Sequence, residues 1–113
     1  MEINYNIKDI NFIRKGNGKK VLLLHGWGVD STIYLTVFQY LSKSYDTIAV
    51  DFPGFGKSPI PAADWGIYEY ADIIYWFIKY NNFYPCSIIG HSFGGRIAII
   101  LGSKYSDILD KII

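Results

Sequence analysis

Residues 90–94 read Gly-His-Ser-Phe-Gly, the spacing G-x-S-x-G that sets a serine between two glycines. A serine so placed can act as a nucleophile when the chain turns sharply at it and lifts its hydroxyl clear of the backbone. The requirement is steric. Gly90 and Gly94, two residues either side of Ser92, keep the neighbouring chain from colliding with the turn, and Gly95 continues the small-residue run. A serine hydroxyl is a weak nucleophile until a base takes its proton, so the position of a base matters next. The chain has two histidines, His25 and His91, and neither follows Ser92. His91 adjoins the serine, and adjacent side chains on such a turn point apart. The pentapeptide alone is equally compatible with a glycine-rich turn that binds a phosphate, so its setting has to decide.

That setting is a strand followed by a helix. Cys86 to Ile89 is a short apolar run, and Ile97, Ile100 and Leu101 mark one face of a helix over 96–104 that starts just after the serine. Upstream, Val21-Leu22-Leu23-Leu24 and Thr47-Ile48-Ala49-Val50 have the continuous apolar character of strands covered on both faces in a parallel sheet. Asp30 or Ser31 is a plausible helix N-cap. Tyr34, Val37, Phe38 and Leu41 follow it at helical spacing. A second helix is marked by Ile67, Tyr70, Ala71, Ile74, Phe77 and Ile78. Alternation at Ile3, Tyr5, Ile7 and at Ile10, Phe12 predicts one or two short strands near the start, and Ile108 to Ile113 the beginning of a last one. The order predicts an α/β domain, with helices on both faces of a mostly parallel sheet and right-handed crossovers.

Composition removes other classes. The chain has 113 residues, half of them apolar, and a net charge of +1. That fits one domain and excludes a disordered segment. No Lys/Arg block exceeds Lys19-Lys20, which argues against nucleic acid and anionic membranes as partners. No run approaches the roughly 20 apolar residues of a membrane span. The N-terminus lacks the features of a signal peptide. A single cysteine, Cys86, fits a reducing compartment, and the expected location is the cytoplasm. A dinucleotide cofactor is not expected, because the first strand-to-helix turn lacks G-x-G-x-x-G.

Three motifs in order, HGWG at 25–28, DFPGFGKS at 51–58 and GHSFGG at 90–95, resemble the N-terminal half of the α/β-hydrolase family, its esterases and lipase-like members in particular. The resemblance covers essentially the whole chain. It implies Ser92 as nucleophile, with the backbone N–H groups of Trp27 and Phe93 as oxyanion-hole donors. His25, Gly26 and Gly28, then Asp51, Gly54, Gly56 and Ser58, and Gly90, His91, Gly94 and Gly95 match positions that shape the site. Asp51 is read as a turn-former that accepts backbone N–H bonds. Trp27, Phe52, Phe55 and Phe93 are expected near the strand ends, either lining an apolar acyl pocket or packing as core. The implied substrate is a small ester or related acyl compound, with no metal or organic cofactor. Serine at the nucleophile position argues against the family's epoxide hydrolases and haloalkane dehalogenases, which carry Asp there.

In this family the acid and the histidine follow the nucleophile. Here only Asp107 and Asp110 do, at the start of the next strand and at the end of the sheet opposite the site, so neither is expected as the triad acid. His25 stays open as a replacement base, because its strand should neighbour that of Ser92. The expectation is therefore that residues 1–113 are the N-terminal part of a single α/β-hydrolase domain, truncated at about the sixth strand and catalytically incomplete. Two other readings stay open: a truncated, non-catalytic product, and a member of the fold that binds a ligand without turning it over.

Overall fold

Leucines at 22, 23 and 24 send side chains to alternate faces of one strand, and all three are fully buried. A strand buried on both faces belongs at the centre of a sheet. The computed structural model describes residues 4–113. It places β1 (Phe12–Lys15), β2 (Lys20–Leu24), β3 (Asp46–Val50), β4 (Cys86–Gly90) and β5 (Leu109–Ile112) in one sheet. Their order is β1-β3-β2-β4-β5. β3 and β4 flank β2 in parallel, and β5 joins β4 in parallel. β1 runs antiparallel along the β3 edge. The mostly parallel α/β architecture expected from the sequence is the one present.

Each face has its own helical cover. Leu22, Leu24, Ile48, Val50 and Ile88 point into the larger core with α2 (Ile67–Tyr80) and α3 (Phe93–Lys104). Val21, Leu23 and Ala49 meet Tyr34 and Phe38 on the other face, carried by a 3₁₀ turn over Ser31–Tyr34 and by α1 (Leu35–Leu41). Asp30 caps that turn by accepting the Thr32 N–H. Among the described residues, no helix is long and apolar enough to cross a membrane. Cys86 is buried and free, and burial pushes its thiol up to about 12, so it stays protonated at neutral pH.

Three details depart from the sequence reading. Ile3 lies outside the described residues, and the strand expected across Tyr5 and Ile7 is instead a 3₁₀ turn at Ile7–Asp9. The Asn6 side chain accepts the Lys8 N–H there, a local bond that competes with strand pairing. The described sheet has five strands, of which β5 is the last in the chain. Val37 is exposed instead of facing the core, because the tighter 3₁₀ turn before α1 shifts the phase of the apolar stripe. Finally, α3 begins at Phe93, three residues before the stretch that periodicity marks, since Gly94 and Gly95 carry little helical signal of their own.

At the far end of α3 a buried carboxylate ties two helices together. Asp72 Oδ1 accepts the Tyr105 hydroxyl at 2.6 Å and the Lys104 ammonium at 2.9 Å. Tyr105 stacks on Tyr75 of α2 at 3.7 Å between ring centroids. Asp72 Oδ2 is buried without a partner among the described residues, which makes the bonds to Oδ1 costly to lose. The Lys104 side chain is half exposed and contributes less than its charge suggests. Tyr105→Phe, which keeps the ring and removes the hydroxyl, should lower unfolding stability by about 1–3 kcal/mol. Urea denaturation at neutral pH measures it, and an unchanged midpoint would show that the clasp carries no stability.

Candidate active site

The loops after β2, β3 and β4 meet at the C-terminal edge of the sheet, where Leu24 pairs in register with both Val50 and Gly90. Crevices outside the carboxyl ends of parallel strands are where such sheets bind ligands. Ser92 stands between β4 and α3 with φ 55° and ψ −114°. A positive φ at a residue with a side chain is strained by about 1–3 kcal/mol and persists only where the surroundings impose it. They do so here. A Cβ on Gly94 would collide with the Leu24 and His25 carbonyl oxygens, and one on Gly90 would lie 2.5 Å from the Gly94 carbonyl oxygen. The turn is therefore wedged between the start of α3 and the end of β2, and Ser92 is left exposed at its tip.

The loop after β2 lies against this turn. A Cβ on Gly26 would sit 3.7 Å from Ser92 Cβ. The next residue, Trp27, and the first residue of α3, Phe93, donate no backbone hydrogen bond to another described residue. An N–H in the first turn of a helix has no acceptor within the helix. The sequence reading placed the serine, Trp27 and Phe93 together, and the fold brings them to one place.

His25 is not available as a base. Its Nε2 accepts the Phe52 N–H at 3.0 Å, which leaves the proton on Nδ1, donated to the Gly26 carbonyl at 2.7 Å. Both nitrogens are spent on backbone, and the ring is fully buried. Burial lowers its proton affinity, and the Gly26 carbonyl and the charges of Asp51 and Asp30 only partly oppose this. The replacement-base alternative thus fails on geometry; the imidazole instead joins the loops that follow β2 and β3. No hydrogen bond joins the Ser92 hydroxyl to a base among the described residues. Asp107 lies in the turn before β5, and Asp110 one residue into that strand. Both are at the end of the sheet away from Ser92.

Asp51 organises the wall beside the site. Its Oδ1 accepts the Ser31 N–H at 2.8 Å, and its Oδ2 accepts Asn11 Nδ2 at 2.8 Å and the Lys57 N–H at 3.1 Å. Burial alone would raise its proton affinity, but these donors outweigh it and hold the carboxyl below its ordinary range. Ser58 Oγ donates to the Asp51 carbonyl and accepts the Asn11 N–H, both at 2.8 Å. Gly54 and Gly56 shape the same loop at positive φ. The turn-forming role read for Asp51 matches this geometry. Asn11 had no sequence signal, and Ser31 only that of a possible N-cap, because each acts here through a partner distant along the chain.

The aromatic residues divide in two. Phe52 is fully buried core, whereas Trp27 is 58% exposed. The indole is held edge-on by Phe55, Phe93 and Tyr70, at 4.7, 5.1 and 5.8 Å between ring centroids. Tyr70, which periodicity identified only as a helix-face residue, is the hub of this cluster. Its hydroxyl donates to the Pro53 carbonyl at 3.2 Å. Among the described residues no group of three or more His, Cys, Asp or Glu could hold a metal ion.

Comparison with known proteins places this arrangement in context. The family described as alpha/beta hydrolase fold matches residues 19–113. The 2-(acetamidomethylene)succinate hydrolase of Mesorhizobium japonicum is 31% identical over 104 residues, which are 92% of this chain and 37% of that protein. A pimeloyl-[acyl-carrier protein] methyl ester esterase of Legionella pneumophila is 42% identical over 57 residues, 50% of this chain and 23% of that protein. Among solved structures, an E-2-(acetamidomethylene)succinate hydrolase superposes with a TM-score of 0.87 at 31% identity, covering 91% of this chain and 38% of the other. The relatives that match most of this chain do so over 29% to 41% of their own length.

Two outcomes follow from the site's geometry. Because the carbonyls around Gly94 are backbone and cannot swing away, Gly94→Ala should cost about 3 kcal/mol or more; an unchanged melting temperature would contradict the packing. The His25 proton affinity is lower folded than unfolded, so its contribution to stability is complete above about pH 6.5 and is lost as pH falls toward the folded value. Asp51 adds a second loss, from about pH 4 downward through its own depressed value. Imidazole nitrogen NMR should find His25 titrating below the ordinary histidine range, with the hydrogen of its neutral ring on Nδ1, and a midpoint at or above that range would refute the assignment.

Proposed function

The chain belongs to the alpha/beta hydrolase fold family, and on that premise we propose that it carries the nucleophile and oxyanion site of a serine hydrolase acting on esters or related acyl compounds. The observation that supports this best is the backbone of Ser92. A strained, exposed serine on a strand-to-helix turn, wedged by Gly94 against β2, is a conformation with no packing benefit of its own. Beside it, the Trp27 and Phe93 N–H groups donate to no other described residue.

In this reading Ser92 Oγ attacks the carbonyl carbon as a base takes its proton. The carbonyl π pair moves onto oxygen, where the two N–H groups stabilise the charge, each donor being worth roughly 10²–10³-fold in rate. Collapse expels the alkoxide, which takes up that proton, and leaves an acyl-serine. Water, deprotonated by the same base, then releases the acid and regenerates the hydroxyl. With His25 committed to backbone, the base and its acidic partner come from chain outside these 113 residues. The described part is then the N-terminal portion of one larger catalytic domain, in keeping with the 29% to 41% of their length over which relatives match. The buried thiol of Cys86 suits a cytoplasmic location.

The test compares wild type with Ser92→Ala in the protein at its natural length, on p-nitrophenyl esters. Loss of kcat by about 10⁴-fold or more is expected, with the fold retained by circular dichroism. Equal rates would refute the serine as nucleophile.

A further inference from the structure

Tyr70 stands outside the loops that surround Ser92, yet it touches all three. Its ring packs edge-on with Trp27 after β2 at 5.8 Å, with Phe52 after β3 at 5.9 Å and with Phe93 after β4 at 5.4 Å. The side chain is buried. Its hydroxyl donates to the Pro53 carbonyl at 3.2 Å, and burial raises its proton affinity, so the donor is intact at neutral pH.

The local sequence makes this ring a fixed point. Gly66 caps α2, and its N–H donates to the Glu69 carboxylate at 2.6 Å. Trp65, one residue before the cap, packs on Tyr70, four residues after it, at 5.2 Å between ring centroids. An apolar pair at those two positions fixes the angle at which the chain enters a helix. Trp65 is held in turn by Tyr5 at 5.4 Å, whose hydroxyl donates to the Pro59 carbonyl.

Trp27 needs such a support. It lies between two glycines, and its backbone makes no hydrogen bond to another described residue. His25 holds the Gly26 carbonyl, which fixes one end of the planar peptide that carries the Trp27 N–H. The other end, at the Trp27 Cα, is held through the indole, which packs on Phe55, Phe93 and Tyr70. Tyr70 packs on Phe93 as well, the residue that brings the second N–H. One ring therefore bears on the spacing of two donors that have to meet a single oxygen. Such constellations tolerate errors of only about 0.5 Å.

We infer that Tyr70 is a positioning residue for the oxyanion site, seating Trp27 and Phe93 against one another so that their N–H groups converge on one oxygen. This rests on the reading of Ser92 as nucleophile with those two donors. Tyr70 acts through its neighbours and not on the substrate, so its removal bears on kcat and leaves substrate affinity alone.

The experiment uses the protein at its natural length, p-nitrophenyl butyrate, and propyl trifluoromethyl ketone. A serine hydroxyl adds to the ketone carbonyl carbon, its proton passes to the base, and the oxygen takes the negative charge. Affinity for the ketone therefore reads the oxyanion site. Tyr70→Leu should lower kcat about 10- to 100-fold, with KM within about threefold of wild type, and should weaken the ketone by a similar factor. Tyr70→Phe, which keeps the ring, should restore most of both. Where Tyr70→Leu does not fold, Trp65→Leu removes the support behind the ring and should lower kcat and weaken the ketone together, by about threefold or more. Wild-type kcat in folded Tyr70→Leu, or in Trp65→Leu where it stands in, would overturn the inference. So would a lower kcat with ketone affinity unchanged, which is loss of folded enzyme, or a raised KM with kcat unchanged, which is a substrate contact. Each of these leaves the proposed function standing when Ser92→Ala is inactive. Turnover surviving in Ser92→Ala would remove the reading beneath the inference, and the inference with it.

Discussion

The carbonyl oxygen of Leu24 is where the architecture converges. It ends the central strand and accepts the Tyr34 hydroxyl at 3.0 Å from one side and the His91 N–H at 3.2 Å from the other. The backbone of Gly94 packs against the same group. One buried acceptor with two lone pairs thus receives a donor from the α1 side of the sheet and a donor from the turn that carries Ser92. A buried carbonyl at the end of a strand, where the ladder no longer supplies donors, has to be satisfied by whatever follows the neighbouring strands. The β4–α3 turn answers that need only if it comes close, and it comes close only with glycine at 94.

From this point the loops are locked in series. His25 joins the β2 loop to the β3 loop through the Phe52 N–H, and Asp51 joins the β3 loop to the segments before β1 and α1 through Asn11 and Ser31. Each link is a side chain satisfying backbone donors or acceptors that strands and helices leave over. The irregular parts around Ser92 are consequently fixed by hydrogen bonds where packing alone would leave them free. Two groups that look suited to proton transfer, an imidazole and a carboxylate, are structural for this reason.

Much of this was legible in the sequence, and the limits are physical. Val21–Leu24, Thr47–Val50 and Cys86–Ile89 identified the three central strands because each is dominated by apolar residues, most completely in β2 and β3, which are buried on both faces. Gly90, Ser92 and Gly94 identified the turn because few residue types tolerate that backbone. The errors fell where a local polar contact or a tighter turn outweighed periodicity, at Asn6 and before α1. His25 could be placed beside the serine from strand order, but the direction of its nitrogens depends on the Phe52 N–H, supplied from another strand's end. The roles of Asn11, Ser31 and Tyr70 likewise arise only from contacts distant in sequence, which a pattern of spacings does not encode.

The clasp of Lys104 and Tyr105 on Asp72 has a bearing on the other end of the same helix. A strained residue at a helix N-terminus can relax if the helix slides along its axis by a fraction of an ångström and lets φ return to the negative range. In α3 that route is closed at both ends. Gly94 abuts the backbone of β2, and the final turn is tied through a buried carboxylate to α2. The helix is anchored at both ends, and an axial shift that would relieve Ser92 has to break one anchor or the other.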